Sequence, residues 1–184
     1  FLMLGMKKAV DRIFQAIDTG EKIMVYGDYD VDGTTAVALV YSFLKQNHPH
    51  CTYYIPDRHE EGYGISTKGI DKAKTENVSL IIAMDCGIKA MDKVSYAHSL
   101  SIDFIICDHH LPSDELPQAT AILDPKQAAC PYPFKDLCGC GIGFKLIQAL
   151  TKERGGDLEE IVPFLDLVAM AIAADLVPMV GENR

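Results

Sequence analysis

The stretch KIMVYGDYDVDGTTAVALVYSFL, residues 22–44, joins a short apolar run, an acidic turn and a longer apolar run. Its first six residues are mostly apolar and end at a glycine, which predicts a buried strand over 22–27. Aspartates alternate along the turn, and residues 33–46 then have the pattern of a helix. A buried strand that leads directly into a helix indicates an α/β fold.

The same alternation of short apolar runs and longer helical segments extends along the whole chain. The predicted strands are 22–27, 51–56, 79–86, 103–108 and 119–123. The predicted helices are 6–19, 33–46, 66–76, 90–100, 141–153 and 158–174, and Ser66 is a suitable cap for the third. We therefore expect a largely parallel β-sheet of about five strands with helices on both faces, within one domain over 1–184.

Acidic and histidine side chains follow three of these strands and the last helix. The acidic turn follows the first strand, Asp85 ends the third, residues 108–110 (DHH) end the fourth, and Asp175 ends the final helix. Ligands of open parallel sheets bind beyond the carboxyl ends of the strands. We therefore expect these side chains to converge at one edge of the sheet.

Carboxylates gathered at one edge repel one another unless cations lie between them. A mixed set of aspartate and histidine suits Mn²⁺, or Mg²⁺ with a smaller share of imidazole. Two such ions, about 3.5–4 Å apart, activate a shared water and align the attacking and leaving oxygens of a phosphoryl group. The pattern therefore predicts a two-metal centre for phosphoryl chemistry.

Each acidic segment, taken alone, also has a simpler interpretation. The turn at 28–33 is similar to the start of a Ca²⁺ loop, but the twelfth position, which requires a bidentate acid, is Leu39. The turn can also be an acidic loop in which Asp32 caps the next helix. The other acids fit ordinary turns, loops or helix ends. Their ordered occurrence at successive element ends favours the joint metal interpretation.

Four motifs of the chain resemble, in order, those of the DHH phosphoesterase superfamily. They are DYDVDGTT (28–35), DCG (85–87), DHH (108–110) and ADLVP (174–178). Further segments are similar to the RecJ branch: PDR (56–58), EGYG (61–64), LDPK (123–126), GCGIGFKL (139–146) and GENR (181–184). The resemblance covers essentially the whole chain, and the ordered set is far more specific than the DHH triplet alone.

The resemblance implies a role for each matching residue. The implied metal ligands of two Mn²⁺ or Mg²⁺ ions, with Asp85 as the bridge, are Asp30, Asp32, Asp85, His109 and Asp175. His110 is implied to contact the scissile phosphate. Asp28 and Asp108 are implied to complete the catalytic cluster.

Proteins of the RecJ type degrade single-stranded DNA from its 5′ end to 5′-mononucleotides in DNA repair and recombination. The resemblance implies that activity and that partner for this chain. The alternatives within the superfamily are phosphodiesterases of oligoribonucleotides or cyclic dinucleotides, and pyrophosphatases. A non-catalytic replication scaffold is disfavoured because every implied ligand position carries a suitable residue.

The RecJ branch continues beyond the ADLVP motif into a DHH-associated domain and an oligonucleotide-binding domain. We therefore expect this chain to be the N-terminal DHH domain alone. Contacts with replication or repair proteins are expected in those further domains. The domain by itself is expected to bind metal and to show weak processive nuclease activity.

Two loops have the composition of a substrate site. Arg58 follows the second strand, where a cation can clamp a phosphate of the substrate. Tyr63, in the same loop, can stack on a base. The simpler interpretation of Arg58 is a surface arginine in a glycine-rich loop. The glycine-rich turn at 139–143 opens a helix, so its amides can bind an anion, or it can permit close packing of the helix on the sheet.

Composition limits the other classes of protein to which the chain could belong. The net charge of −9 argues against a nucleic-acid partner, although clustered metal-binding acids contribute to it. The most apolar run, 161–180, contains two aspartates, so we expect no membrane span. The six cysteines lack zinc-ribbon spacing and are expected to be free thiols in a reducing cytoplasm; a disulfide or metal role for Cys138 and Cys140 is the alternative.

Overall fold

Five short apolar segments form one sheet in the computed structural model, which describes residues 2–184. The strands are β1 (Lys22–Gly27), β2 (Cys51–Tyr54), β3 (Val78–Met84), β4 (Asp103–Cys107) and β5 (Ala121–Leu123). Their order is β2-β1-β3-β4-β5, and every neighbouring pair is parallel. The parallel five-stranded sheet that the sequence predicts is confirmed.

The α-helices cover both faces of this sheet, as predicted. They are α1 (Met6–Asp18), α2 (Val31–Asn47), α3 (Thr67–Thr75), α4 (Met91–Ser99), α5 (Gly139–Glu153) and α6 (Leu165–Ala174). One apolar core lies between the sheet and α1, α2, α5 and α6, and a smaller one lies between the sheet and α3 and α4. Side chains of β3 alternate between the two cores, because successive residues of a strand point to opposite faces.

The strand order places a crevice at the carboxyl edge of the sheet. The chain passes from β1 to β2 on one side and then returns across β1 to β3 on the other. Crossovers that diverge in this way leave a gap between the loops that follow the two central strands, and ligands of open α/β sheets bind there. The loops after β1 and β3 carry the acidic turn and Asp85.

Three helices differ from the sequence prediction by two residues or more, and one of them, α5, begins at Gly139 and not at residue 141. Helix α2 begins at Val31, two residues early, because the side chain of Asp30, rather than Asp32, accepts the hydrogen bond from the Gly33 amide that caps it. The predicted helix 158–174 divides into a 3-10 helix (Leu158–Phe164) and α6. Pro163 lies at the division, and it cannot donate the backbone hydrogen bond that a continuous α-helix requires.

Within residues 2–184, no helix is both long and apolar enough to cross a membrane. All six cysteines are buried free thiols, which agrees with the expected thiol state.

Candidate metal centre

The ring nitrogen Nε2 of His109 lies at the centre of a group of carboxylates. It is 3.2 Å from Oδ1 of Asp85, 3.6 Å from Oδ2 of Asp175 and 3.8 Å from Oδ2 of Asp32. Asp85, His109 and Asp175 follow β3, β4 and α6, and Asp32 lies in the first turn of α2, so the fold brings these side chains together as predicted. Asp32, His109 and Asp175 form one group of ligand atoms within 4.8 Å of each other, and Asp85, His109 and His110 form a second.

Three atoms of these side chains are buried and have no hydrogen-bond partner among residues 2–184, namely Oδ1 of Asp85 and both ring nitrogens of His109. A carboxylate lone pair and an imidazole lone pair that face each other at 3.2 Å need a cation or a proton between them. Burial, followed by the charges of Asp32, Asp30 and Asp108, raises the pKa of Asp85 well above its ordinary value. The arrangement fits divalent cations, whose charge would offset the repulsion among these carboxylates.

The backbone at Asp85 directs its carboxylate into the centre. Asp85 follows the last residue of β3 and has a φ of 58°, in the left-handed region that aspartate and asparagine tolerate better than most residues. Its amide donates to the carbonyl of Cys107 on the neighbouring strand at 2.8 Å. The sheet therefore fixes the turn that aims this side chain.

The carboxylate of Asp32 is held by the first turn of α5. The amides of Gly139 and Cys140 donate to Oδ2 and Oδ1 of Asp32 at 2.6 and 2.7 Å. Burial raises the pKa of Asp32, and these two hydrogen bonds partly oppose that rise. The glycine-rich turn thus binds an anion, as one of the two interpretations predicted, but the anion is a side chain of the same protein.

Gly139 also packs directly against Asp85. A Cβ atom at position 139 would lie 2.6 Å from both Cβ and Oδ1 of Asp85. Only a glycine permits this approach, so the same turn holds one carboxylate by hydrogen bonds and the other by contact.

His110 is fixed from behind by Asp108. Oδ1 of Asp108 accepts a hydrogen bond from Nδ1 of His110 at 2.7 Å, and the buried Asp108 carboxylate also accepts from the amides of Ile88, His109 and His110. Burial acts to raise the pKa of Asp108, but the hydrogen bonds and charge of His110, together with the bond from the Ile88 amide, outweigh it, so that pKa is lowered. The pKa of His110 is raised, chiefly by its bond to Asp108.

The far nitrogen of His110 faces the cleft, where the Tyr63 hydroxyl lies 3.1 Å from Nε2. The edge of one of these rings meets the face of the other. Burial and neighbouring carboxylates raise the pKa of Tyr63, so its hydroxyl stays protonated at neutral pH. Asp108, His110 and Tyr63 form a hydrogen-bonded series that ends at the cleft.

Three acids of the predicted cluster lie outside both groups of ligand atoms: Asp108, described above, Asp30 and Asp28. Asp30 is exposed and lines the small cleft with Asp32 and Asp175, while one of its oxygens caps α2. Asp28 is fully buried: its Oδ1 accepts from the Gly64 amide at 3.3 Å, and its Oδ2 has no partner in the described part of the chain. The implied metal role of Asp30 and the implied catalytic role of Asp28 stay predictions.

Arg58 and Tyr63 are linked by a residue that the sequence analysis did not single out. The guanidinium of Arg58 lies 5.5 Å from the centroid of the Tyr29 ring, and the Tyr29 and Tyr63 rings meet edge to face. Tyr29 lies between Asp28 and Asp30 in the acidic motif. The motif suggests a metal site and gives no sign that the Tyr29 ring contacts Arg58 and Tyr63. The three side chains, of which Arg58 and Tyr63 are exposed and Tyr29 is half-buried, form a border beside His110.

The segment that carries Asp175 is anchored by the residues that follow it. The Tyr132 hydroxyl donates to Oε1 of Glu182 at 2.7 Å, and Nδ2 of Asn183 donates to the carbonyl oxygens of Asp136 and Pro178. These contacts fix the GENR segment, 181–184, on the loop before α5. They hold the turn after α6 in place and thereby position the Asp175 carboxylate.

Asp124 is a further buried acid, known from the sequence only as part of the LDPK motif. Its Oδ1 accepts from the Lys126 amide at 2.7 Å, and its Oδ2 has no partner among the residues that the structure covers. Burial raises the pKa of Asp124 to about 6. Ionised Asp124 therefore destabilises the folded chain at neutral pH.

Asp124→Asn is expected to stabilise the metal-free protein at neutral pH but not in acid. The folded pKa of about 6 exceeds the unfolded value near 3.9, so the wild type loses stability as pH rises from ~4 through ~6. The variant lacks this loss, and its advantage above pH ~6 is at most about 3 kcal/mol. Urea unfolding in EDTA at pH 4 and pH 7.5 measures the difference; an equal advantage at both pH values would contradict the prediction.

Comparison with known proteins agrees with this geometry. The family model described as "DHH family, N-terminal domain" matches residues 22–172. Single-stranded-DNA-specific exonuclease RecJ of Bacillus subtilis is 47% identical over the whole chain, and the Escherichia coli protein of the same name is 39% identical over 98% of it. The chain spans only 23% and 33% of the lengths of these two relatives.

Solved structures of RecJ proteins match the fold of this chain. An exonuclease RecJ bound to manganese matches all of this chain with a TM-score of 0.90 at 29% identity, and the chain covers 46% of that structure. RecJ of Thermus thermophilus in complex with Mn²⁺ matches with a TM-score of 0.85 at 26% identity, with 26% of its length covered.

Proposed function

Since the chain belongs to the DHH family, we propose that it is the catalytic domain of a metal-dependent exonuclease that hydrolyses single-stranded DNA from its 5′ end to 5′-mononucleotides. The relatives named as single-stranded-DNA-specific exonucleases support the substrate and the reaction. We further propose a cytoplasmic location, supported by six buried free thiols, and a role in DNA repair and recombination.

One observation carries the proposal: the facing, unpartnered Oδ1 of Asp85 and Nε2 of His109, with two more carboxylates within 4 Å of that nitrogen. We assign Asp85, His109, Asp32 and Asp175 as the residues that hold Mn²⁺ or Mg²⁺, with Asp30 and His110 beside them. The solved relatives with Mn²⁺ support this ion. Divalent cations in such a site lower the pKa of a bound water and neutralise charge on a phosphoryl oxygen.

The other residues orient the substrate. His110, held by Asp108, directs Nε2 toward the cleft, where it contacts the scissile phosphate. Arg58 offers a cation to a neighbouring phosphate, and its contact with the Tyr29 ring limits the rotamers that must be ordered on binding. Hydrolysis forms one P–O bond to the oxygen of water and breaks the bond to the 3′ oxygen, which leaves as a hydroxyl.

The test uses a single-stranded oligonucleotide labelled at either end, with Mn²⁺. We expect the 5′ label to appear first as a mononucleotide, at a rate that depends on the metal. This result does not require processivity, since it holds when each encounter with the DNA removes only a few nucleotides. A pyrophosphate, a linear diadenylate and a cyclic dinucleotide are the competing substrates. Faster turnover of any of these, or first release of the 3′-terminal nucleotide, would overturn the proposal.

Arg58→Ala is expected to weaken binding of single-stranded DNA by roughly ten- to hundredfold, since a charge-assisted hydrogen bond contributes ~1.5–3 kcal/mol. The slope of log affinity against log salt should become shallower by about 0.7, the value for one lost phosphate contact. Affinity for Mn²⁺ should stay within about twofold of wild type, because Arg58 lies outside the metal group. Fluorescence anisotropy over a salt series measures both effects, with exposed Lys8→Ala on α1 as the control. An unchanged salt slope would contradict the assignment.

A further inference from the structure

The turn at residues 57–61, between β2 and α3, carries Arg58. The amide of Glu61 closes this turn by donating to the carbonyl oxygen of Asp57 at 2.9 Å. Glu61 is half-buried, whereas the other four residues of the turn are exposed. The Glu61 side chain is therefore the part of the turn that reaches the body of the protein.

The carboxylate of Glu61 joins three separate parts of the chain. The Tyr54 hydroxyl, at the end of β2, lies 2.8 Å from both of its oxygens. The amide of Asp57 donates to Oε1 at 2.9 Å, and the hydroxyl of Ser66 donates to Oε2. Ser66 is the residue that caps α3. One side chain thus ties the start of the turn to a strand on one side and to a helix on the other.

These hydrogen bonds are made to a charged acceptor. Burial acts to raise the pKa of Glu61, but the bonds from Ser66, the Asp57 amide and Tyr54 outweigh it, so that pKa is lowered. The carboxylate is therefore ionised at neutral pH. Hydrogen bonds to an ionised group are shorter and stronger than those between neutral groups, so they fix the turn firmly.

The chain that follows the turn cannot fix it. Gly62 and Gly64 both have a left-handed backbone, with φ of 77° and 83°, and glycine leaves a chain many alternative conformations. Gly64 has its own anchor, because the hydroxyl of Tyr26 donates to its carbonyl oxygen at 3.0 Å. Glu61 supplies the corresponding anchor for the part of the loop before the glycines.

We propose that Glu61 is a positioning residue, which holds the turn at 57–61 so that Arg58 is in place before a substrate phosphate arrives. The proposal rests on the proposed function, since it takes Arg58 as the residue that contacts this phosphate. Two contacts then define the arginine: the Tyr29 ring at its guanidinium, 5.5 Å away, and Glu61 at its backbone. Glu61 has the wrong charge to bind a phosphate itself, so it acts through Arg58.

Glu61→Ala is expected to weaken binding of single-stranded DNA by roughly three- to tenfold. The variant must order Arg58 during binding, and ordering one side chain with many rotamers costs this much. Fluorescence anisotropy measures the affinity, as for Arg58→Ala. Loss of an acid without loss of positioning would strengthen binding to a polyanion, so the two explanations predict opposite signs. Unchanged or tighter binding by Glu61→Ala would overturn the proposal.

Glu60→Ala is the matched control, because it removes the same charge at the adjacent position. The Glu60 side chain is 68% exposed and pairs with Lys68 of α3 at 2.7 Å. The control should bind DNA as tightly as wild type or more tightly. A loss in Glu60→Ala equal to that in Glu61→Ala would show that the contacts of Glu61 with Tyr54 and Ser66 have no special role.

A double-mutant cycle with Arg58→Ala separates positioning from a general effect on the fold. In the Arg58→Ala background, Glu61→Ala should weaken DNA binding by less than about twofold, because the residue that Glu61 positions is already gone. Losses that multiply in the double variant would refute the proposal. Mn²⁺ affinity should match wild type throughout, since neither residue belongs to the groups of metal-ligand atoms.

Glu61→Gln replaces the alanine variant in this cycle if Glu61→Ala does not fold. Glutamine keeps the size of the side chain but removes the charge and one of the two acceptor oxygens. DNA binding should then weaken by at least about twofold, again without a further loss in the Arg58→Ala background. In that case, wild-type DNA affinity in Glu61→Gln would exclude a positioning role.

Cleavage assays with Mn²⁺ separate this proposal from the proposed function. The effect of Glu61→Ala should lie in KM for single-stranded DNA, whereas a lower kcat at unchanged KM would place Glu61 in the chemical step and contradict the proposal. If Arg58→Ala leaves DNA binding unchanged, the role of Arg58 in the proposed function is wrong. If Arg58→Ala weakens binding and Glu61→Ala does not, the positioning role alone is wrong.

Discussion

Asp85→Asn is expected to lower the affinity of the protein for Mn²⁺ by at least about a hundredfold and to abolish nuclease activity. Asp85 provides the unpartnered oxygen nearest to Nε2 of His109, and substitution of residues that merely support a metal ligand already costs ~10–100-fold. Asparagine keeps the size of the side chain and tolerates the left-handed backbone at this position. The loss therefore reports the carboxylate charge and not a change of fold.

The same substitution should stabilise the metal-free protein. Burial and the neighbouring acids raise the pKa of Asp85, which means that its ionised form opposes folding. Removal of the ionisable group should increase the free energy of unfolding in EDTA by roughly 1 kcal/mol or more at neutral pH. Opposite effects on metal affinity and on metal-free stability distinguish a metal ligand from a structural acid.

Calorimetric titration with Mn²⁺ and urea unfolding in EDTA measure the two effects. Asp92→Asn is the matched control, because this aspartate lies on the adjacent α4 with 77% of its side chain exposed. The control should bind Mn²⁺ as wild type does. Wild-type Mn²⁺ affinity in Asp85→Asn would refute the metal assignment, and lower stability in EDTA would refute the charge-repulsion argument.

Gly139→Ala is expected to lower Mn²⁺ affinity by more than tenfold although no metal ligand is changed. The added methyl group would lie 2.6 Å from Asp85, closer than Cβ atoms approach other atoms, so either the Asp85 side chain or the first turn of α5 must move. Movement of the turn breaks the hydrogen bonds to Asp32. We expect destabilisation of about 1–3 kcal/mol as well, as found when extra carbon is forced into a packed interior.

Gly141→Ala provides the control within the same helical turn. A Cβ atom at this position meets Sγ of Cys138 and Cδ2 of Leu137 at 3.5 Å, an ordinary contact distance. Its affinity for Mn²⁺ should stay within about threefold of wild type. Similar losses in both variants would show that the glycines act through helix stability and not through the Asp85 contact.

The sheet was predictable because its strands are buried on both faces. Five of the six residues of β1 and six of the seven of β3 are buried, which gives the continuous apolar runs typical of parallel sheets. Helix bounds were less predictable where a single side chain decides them. Asp30 and Asp32 are both suitable caps by residue type, and only the geometry of the turn selects Asp30.

The convergence of Asp85 and His109 could be predicted because parallel strands bring their carboxyl ends to one edge, whereas Asp175 ends a helix and its place was implied by the family resemblance. The support from α5 could not be predicted in the same way. A glycine-rich helix start indicates an anion site, but the sequence does not say that the anion is the side chain of Asp32. The burial of Asp124 beside the centre likewise depends on how the irregular loop after β5 folds, for which periodic patterns carry no signal.

The hydrogen bonds from the α5 amides to Asp32 join residues 107 and 108 positions apart. Because closing so large a loop costs chain entropy, we expect these contacts to form late in folding. Under the proposed assignment, Mn²⁺ binds the folded protein but not partly folded states. A free Mn²⁺ concentration a hundred times the dissociation constant would therefore add about 2.7 kcal/mol to the stability of the folded state. The supply of metal in the cell would then govern how long the protein escapes proteolysis as well as how fast it works.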